Sequence, residues 1–304
     1  VPIVGLNYKD EEADAKVWLR QFGNPYDIIA VDYDGNEIVA TKVSTNTWII
    51  ANATKLDKIM YLVNDTFDQE KTGGIGEEVP FSPAGTNIEP TNYVLNLHGF
   101  VGYFDSLKNN QYALDMISPD KFVRSSALQE LKSETKDGKT VTSFFAPRYF
   151  DITDNPMFYG ELDVEEFMVG DIKIVLSVYS PNKVHSAASM KETMYKMMLG
   201  QKAYLGDVNT TPRYDIYVYL SEGKPESPKG FGALEHHKST VVVYPESLPA
   251  QALAQSMTDI VSHEFFHAWN VERIRPASLE PFDYTEANMS GELWFAEGFT
   301  SYLY

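Results

Sequence analysis

Residues 251–271 read QALAQSMTDIVSHEFFHAWNV, and this stretch decides the fold. Ala252, Leu253, Met257, Ile260 and Val261 recur at helical spacing, so the run predicts one long helix over 251–271. Inside it stands His263-Glu264-Phe265-Phe266-His267. Positions four apart on a helix share a face, so both imidazoles can reach a single zinc ion. Glu264, one residue past the first ligand, is then placed toward the water rather than the metal. A catalytic zinc takes three protein ligands and keeps one position open. The chain has no cysteine, so the third ligand has to be a carboxylate or another histidine.

Two glutamates compete for that place. Glu286 has eighteen residues between it and His267, the spacing commonly quoted for this zinc class, but it sits in the polar loop 283–288. Glu297 sits in the apolar stretch 293–299, where a lone buried carboxylate is costly unless paired or coordinated. Local structure selects Glu297 and makes the spacing of Glu286 a coincidence.

Outward from this helix the chain changes character. Upstream, Ile28 to Val31, Asp34-Gly35-Asn36 and Ile38 to Val43 predict a hairpin closed by an Asp-Gly turn. Short apolar runs continue at Thr47–Ala51, Ile59–Val63, Tyr93–Leu97, Thr142–Phe145 and Ile172–Tyr179. Residues 1–153 therefore read as an all-β domain of sandwich type. Residues 154–304 mix strands over 213–220 and 240–244 with helices over 186–205, 251–271 and from 291 onward. Ser186 or Ser189 is placed to cap the first of these, and Met190, Met194, Met197 and Met198 give it a core-facing side. The expected class is α+β, with a boundary near Asp154-Asn155-Pro156. The apolar end, Trp294 to Tyr304, carries no C-cap signal and reads as the edge of a longer catalytic domain.

Composition narrows the function. The 25 Lys+Arg against 43 Asp+Glu give a net charge of −18, which speaks against a nucleic-acid partner, because phosphate binding rests on clustered cations. No apolar run reaches the roughly 18 residues of a membrane span, and no leader-like start is visible. Cytoplasm and periplasm stay equally open, as does the oligomeric state. Asp32 to Glu37 has a superficial likeness to a calcium loop but lacks its ligand spacing, and a hairpin turn accounts for it.

His263-Glu264-x-x-His267-x-Trp269-Asn270, then Arg273-Ile274-Arg275-Pro276, then Leu293-Trp294-x-x-Glu297-Gly298-x-Thr300, resembles the glycyl aminopeptidase family. These are gluzincins that often carry a PDZ domain after the catalytic region. The segment from Glu297 to Tyr302 also looks like aminopeptidase N, a relative, and the likeness extends upstream through Gly232-Ala233-Leu234-Glu235-His236. The resemblance implies a β-sandwich followed by a thermolysin-like zinc peptidase domain. It implies zinc on His263, His267 and Glu297, with Glu264 as general base. It further implies that Glu235 binds the α-ammonium group of a peptide with a free N-terminus, beside a substrate-pairing strand at Gly232 and Ala233. Small first residues such as Gly or Ala are the implied preference. The family's oxyanion donor, usually a Tyr, lies well downstream of the third ligand and has no counterpart here, so slow turnover is expected.

Two other readings stay open on the residues alone. One is an endopeptidase on the same zinc site, and the other is a peptide-binding scaffold, against which the general base Glu264 argues. His236 and His237 either line the cleft or are ordinary strand residues. His98 and His185 read as structural, while Arg273 and Arg275 either contact substrate or pair with nearby carboxylates.

Overall fold

The computed structural model describes residues 28–44, 47–61, 83, 85–206, 211–224, 227, 230–279, 282–284, 288 and 290–303. The fold is α+β and strand-rich, and the chain divides into two compact units, residues 1–66 with 99–102 and residues 67–98 with 103–304.

In the first unit, β1 (Ile29–Asp32) pairs antiparallel with β2 (Glu37–Ile38) and β5 (Leu56–Met60), while β3 (Ala40–Ser44) pairs with β4 (Thr47–Ile50). The expected hairpin is present. Asp32 Oδ1 accepts the backbone N–H groups of Asp34 and Asn36 at 3.0 and 2.8 Å, and Gly35 supplies a φ of +82°. That carboxylate is engaged by its own turn, the hairpin geometry that accounts for the acidic run.

Among its described residues the second unit holds three sheets. β6 (Asn87–Glu89), β7 (Asn92–Leu95), β12 (Met157–Gly160) and β9 (Val123–Ser125) form one, in that order. β10 (Gln129–Lys136), β11 (Lys139–Ala146) and β8 (Tyr112–Pro119) form another, and α1 (Tyr149–Thr153) follows β11. The central sheet runs β13 (Asp163–Val169), β14 (Ile172–Tyr179), β15 (Arg213–Ser221), β17 (Ser239–Pro245), β16 (Gly232–His236). β14, β15 and β17 are mutually parallel, whereas the outer strands β13 and β16 are antiparallel to their neighbours. β16 pairs with β17 on one side, and among the described residues its other edge carries no strand.

Helix α2 (Ala187–Leu205) makes the crossover from β14 to β15. Ser186 and Ser189 both act at its start, each side chain bonding the other's backbone N–H at 3.2 Å. Met190, Met194 and Met198 on α2, with Leu253, Met257, Val261 and Phe265 on α3 (Ala250–His267), pack on one face of the sheet. Val94, Phe158 and Leu162 cover the other face over Tyr217, Tyr219, Val241 and Val243. Burial on both faces explains why β15 is apolar from Ile216 to Leu220 instead of alternating.

The metal-motif helix is shorter than predicted. It ends at His267, four residues before Val271, whose φ of +87° is incompatible with a helix and strained for a β-branched residue. The reversal there is closed by the Val271 N–H donating to Ile274 O at 3.2 Å. The stretch after residue 291 also departs from expectation, being a π-helical turn over Trp294–Phe299 that leads into α4 (Thr300–Leu303).

Candidate active site

The site grows from the C-terminal end of α3. Phe265 turns one way, into the sheet core, while His263 and His267 share another face of the helix. Their Nε2 atoms lie 3.0 Å apart. Glu297 Oε2, from the π-helical turn, lies 3.1 Å from His263 Nε2 and 3.5 Å from His267 Nε2. These three donor atoms form one small triangle that could hold a metal ion. The wide π turn is a local irregularity of the kind that collects at functional sites. Glu286 lies outside the described residues.

Glu297 does not sit in the buried apolar helix that its sequence surroundings predict. Its apolar turn is not buried among the described residues: Trp294 is 73% exposed and the Glu297 side chain 46%. Convergence with two imidazoles, rather than burial in an apolar helix, is what singles it out.

His263 is held in the form that binds metals. Burial and the neighbouring His267 keep His263 below the usual imidazole pKa, against the pull of Glu297, so its lone pair is available. His267 is 1% exposed, and its Nδ1 faces the carbonyl oxygen of Asn270 at 3.4 Å. A carbonyl only accepts, so Nδ1 carries the proton and Nε2 turns its lone pair to the triangle.

Asn270 also works through its side chain. Its Nδ2 donates to Thr300 Oγ1 at 2.9 Å and to the carbonyl oxygens of Ala296 and Phe295 at 3.2 and 3.4 Å. One buried amide therefore ties the end of α3 to the turn that carries Glu297. Three acceptors in one direction fix which amide atom points there.

Glu264 is buried, and its Oε2 has no hydrogen-bond partner among the described residues. Burial, then the carboxylates of Glu235 and Glu297, push its carboxyl up to about 8. Burial also raises Glu235 on β16, with the Glu272 carboxylate adding to the shift and His267 and His236 opposing it. Three carboxylates thus feel one another around two imidazoles. Burial disfavours the ionised forms of Glu264 and Glu235, and a cation held at the neighbouring triangle would relieve that penalty.

Gly232 opens β16 at a φ of +150°, a backbone state open to glycine. A Cβ there would meet nothing within 4 Å, so the angle and not crowding requires the glycine. Gly232→Ala is expected to destabilise the chain by about 1–3 kcal/mol, read as a shift in the midpoint of urea unfolding. An unchanged midpoint would show that the strand start relaxes freely.

The remaining candidates sort themselves. His185 Nε2 lies 3.0 Å from the carbonyl oxygen of Glu246, a structural contact. His236 and His237 are neither free cleft residues nor ordinary strand residues, because both approach Asp154. Arg275 pairs with Glu272 at 2.7 Å, the carboxylate reading. Asp154 and Glu272 carried no signal in the sequence, since their partners stand 83 and 35 positions away from them in the chain.

The chain belongs to the M61 glycyl aminopeptidase family: the family model for M61 glycyl aminopeptidase matches residues 256–304, and that for the Peptidase M61 N-terminal domain matches residues 19–161. An aminopeptidase N family protein from Idiomarina loihiensis has the same fold, with a TM-score of 0.73 at 18% identity over 91% of this chain and 45% of that one. Protein TMA108 of Saccharomyces cerevisiae is 25% identical over 268 residues, which is 82% of this chain and 25% of that protein. The chain thus spans about a quarter of the length of this curated relative. A 36-residue stretch, 12% of the chain, is 53% identical to the thiol:disulfide interchange protein DsbE of Pseudomonas fluorescens biotype C, over 20% of that protein. With no cysteine in this chain, no thiol chemistry accompanies that match.

Proposed function

We propose that this chain carries the zinc site of an aminopeptidase that releases small N-terminal residues, such as Gly or Ala, from peptides with a free N-terminus. The observation that carries the reading is the triangle of His263 Nε2, His267 Nε2 and Glu297 Oε2, with edges of 3.0, 3.1 and 3.5 Å. Donors held about 2.0–2.1 Å from a tetrahedral zinc stand roughly 3.3–3.4 Å apart, so the triangle matches three corners of such a site. The donor chemistry, two imidazoles and a carboxylate without thiolate, suits zinc in its catalytic form. A zinc ion bound there would supply Lewis acidity to a scissile carbonyl and to a water molecule.

The chain's own residues do the rest. Glu264 takes the proton from the attacking water and passes it to the leaving amine. Its orphaned Oε2 is free for that exchange. β16 offers its open edge to an extended peptide, which would pair there as an added strand. Glu235, at the far end of the same strand, meets the α-ammonium group and so favours a chain end over a mid-chain segment.

The test compares hydrolysis of alanyl and glycyl chromogenic amides with their N-acetylated twins, zinc supplied. Cleavage of the free-amine substrates alone is expected. Glu235→Gln should then raise KM by about 10–100-fold, the loss of a charged contact worth roughly 1.5–3 kcal/mol. Equal cleavage of both twins would replace the reading with an endopeptidase, and cleavage of neither with a peptide-binding scaffold.

A further inference from the structure

A second charged cluster lies outside the triangle. His237 occupies the turn between β16 and β17. Its Nδ1 stands 2.7 Å from Glu272 Oε2 and 3.0 Å from Asp154 Oδ2. Both carboxylates are off the line of a good ring N–H hydrogen bond, so the attraction is between charges. Its backbone N–H donates to the same Asp154 carboxylate at 3.3 Å. Asp154 directly follows α1 and also faces His236 Nδ1 at 3.5 Å. Glu272 follows α3, holds Arg275 at 2.7 Å and donates its own N–H to the carbonyl oxygen of His267 at 3.2 Å. The ring of Phe150, on α1, packs edge-on against the His237 imidazole. Two carboxylates and two cations therefore balance in a largely buried group that touches three parts of the fold.

Asp154, His237 and Glu272 also have the makings of a metal site. The contacts favour ion pairing instead. Glu272 Oε2 already takes both Arg275 and His237, and a divalent ion would have to displace the guanidinium from that same oxygen.

We infer that His237 is a positioning residue: through Asp154 and Glu272 it locks the substrate-pairing strand β16 to the segment that continues from the metal ligand His267. Glu235 lies two residues before His237 and His267 five before Glu272, so this lock sets the separation between amine anchor and metal. Among the described residues β17 is the one strand paired with β16, and α3 packs on its face, so the ion pairs at its end tie it to the segment beyond α3. The charge state supports the geometry. Burial disfavours the imidazolium, but Asp154 and Glu272 together raise His237 to about 9. Burial likewise disfavours the Asp154 carboxylate, yet His236 and His237 bring it down to about 2. A raised histidine contributes fully below its unfolded value of 6.5 and loses that contribution as the pH climbs through about 9.

This inference rests on the aminopeptidase reading for its kinetic arm only. His237→Asn keeps a polar donor near the Nδ1 position and removes the charge. It is expected to raise KM for alanyl amide about 10-fold, with kcat and zinc affinity within about twofold, and to speed amide hydrogen exchange over 232–236 but not over α3. As the pH passes from 7 toward 9, KM should rise more steeply in the unsubstituted chain than in the variant, where the substrate's own α-ammonium group still titrates but His237 no longer does. Glu272→Gln should give the same exchange signature, and the double variant should add little to either. Faster exchange at β16 in a chain that cleaves nothing would uphold the lock while sinking the aminopeptidase reading. Parallel losses of kcat, zinc affinity and thermal midpoint would overturn it in favour of plain structural support. Unchanged KM and exchange would overturn it outright, as would a second zinc per chain that His237→Asn removes.

Discussion

Replacing Glu264 by Gln is expected to lower kcat on alanyl amide by about 10²–10⁴-fold while zinc still binds. The substitution preserves shape and removes the ability to accept a proton. It also removes one of three mutually repelling carboxylates, the one that burial, Glu235 and Glu297 push up to about 8. The thermal midpoint is therefore expected to hold or rise, because a carboxyl whose ionised form burial and its neighbours disfavour has been replaced by a neutral group of the same shape. The combination separates two roles. A residue that merely fills space would lower stability and leave turnover largely intact, the reverse of this pattern. Steady-state kinetics beside a thermal melt decides it, and retention of full kcat would remove Glu264 from the chemistry.

Asn270→Asp should weaken zinc binding by about 10–100-fold, the usual effect of disturbing the groups that orient metal ligands. The exchange is isosteric, but it turns a donor into an acceptor. The new oxygen would face Thr300 Oγ1 at 2.9 Å and the carbonyls of Ala296 and Phe295 at 3.2 and 3.4 Å, two of which can never donate. The turn that carries Glu297 would be pushed from α3, and the third corner of the triangle with it. The backbone carbonyl facing His267 Nδ1 is untouched by the substitution, so the histidine pair should keep a residual, weaker site. Competition against a chromophoric chelator measures the change without any turnover. An affinity equal to that of the parent chain would show that the π-helical turn is held by other contacts.

What could be read from the sequence was local. Ser186 and Ser189 announce the start of α2 because a cap spans only three residues. His263 and His267 announce a common face because a helix repeats every 3.6 residues. The end of α3 was not legible, since Val271 adopts a left-handed angle that no intrinsic preference of valine would suggest and that the surrounding contacts impose. The same holds for the π-helical turn. The apolar surroundings of Glu297 predict burial, yet its side chain is 46% exposed, because the π-helical turn directs it to the two imidazoles. The ion-pair group of Asp154, His237 and Glu272 joins three distant parts of the chain, and only the folded arrangement reveals that they meet.

The unpaired side of β16 has a consequence for how the molecule must be handled. An edge that welcomes one extended peptide welcomes any extended backbone, including a strand from another molecule of the same kind. Proteins usually discourage such stacking with charge, and here Glu235 supplies it at the end of the strand. On the proposed reading, the group that would select a free amine would also serve as a gatekeeper against self-association. Neutralising it would trade selectivity and solubility together, so kinetics of any Glu235 variant belong at low concentration, with the sedimentation behaviour checked alongside.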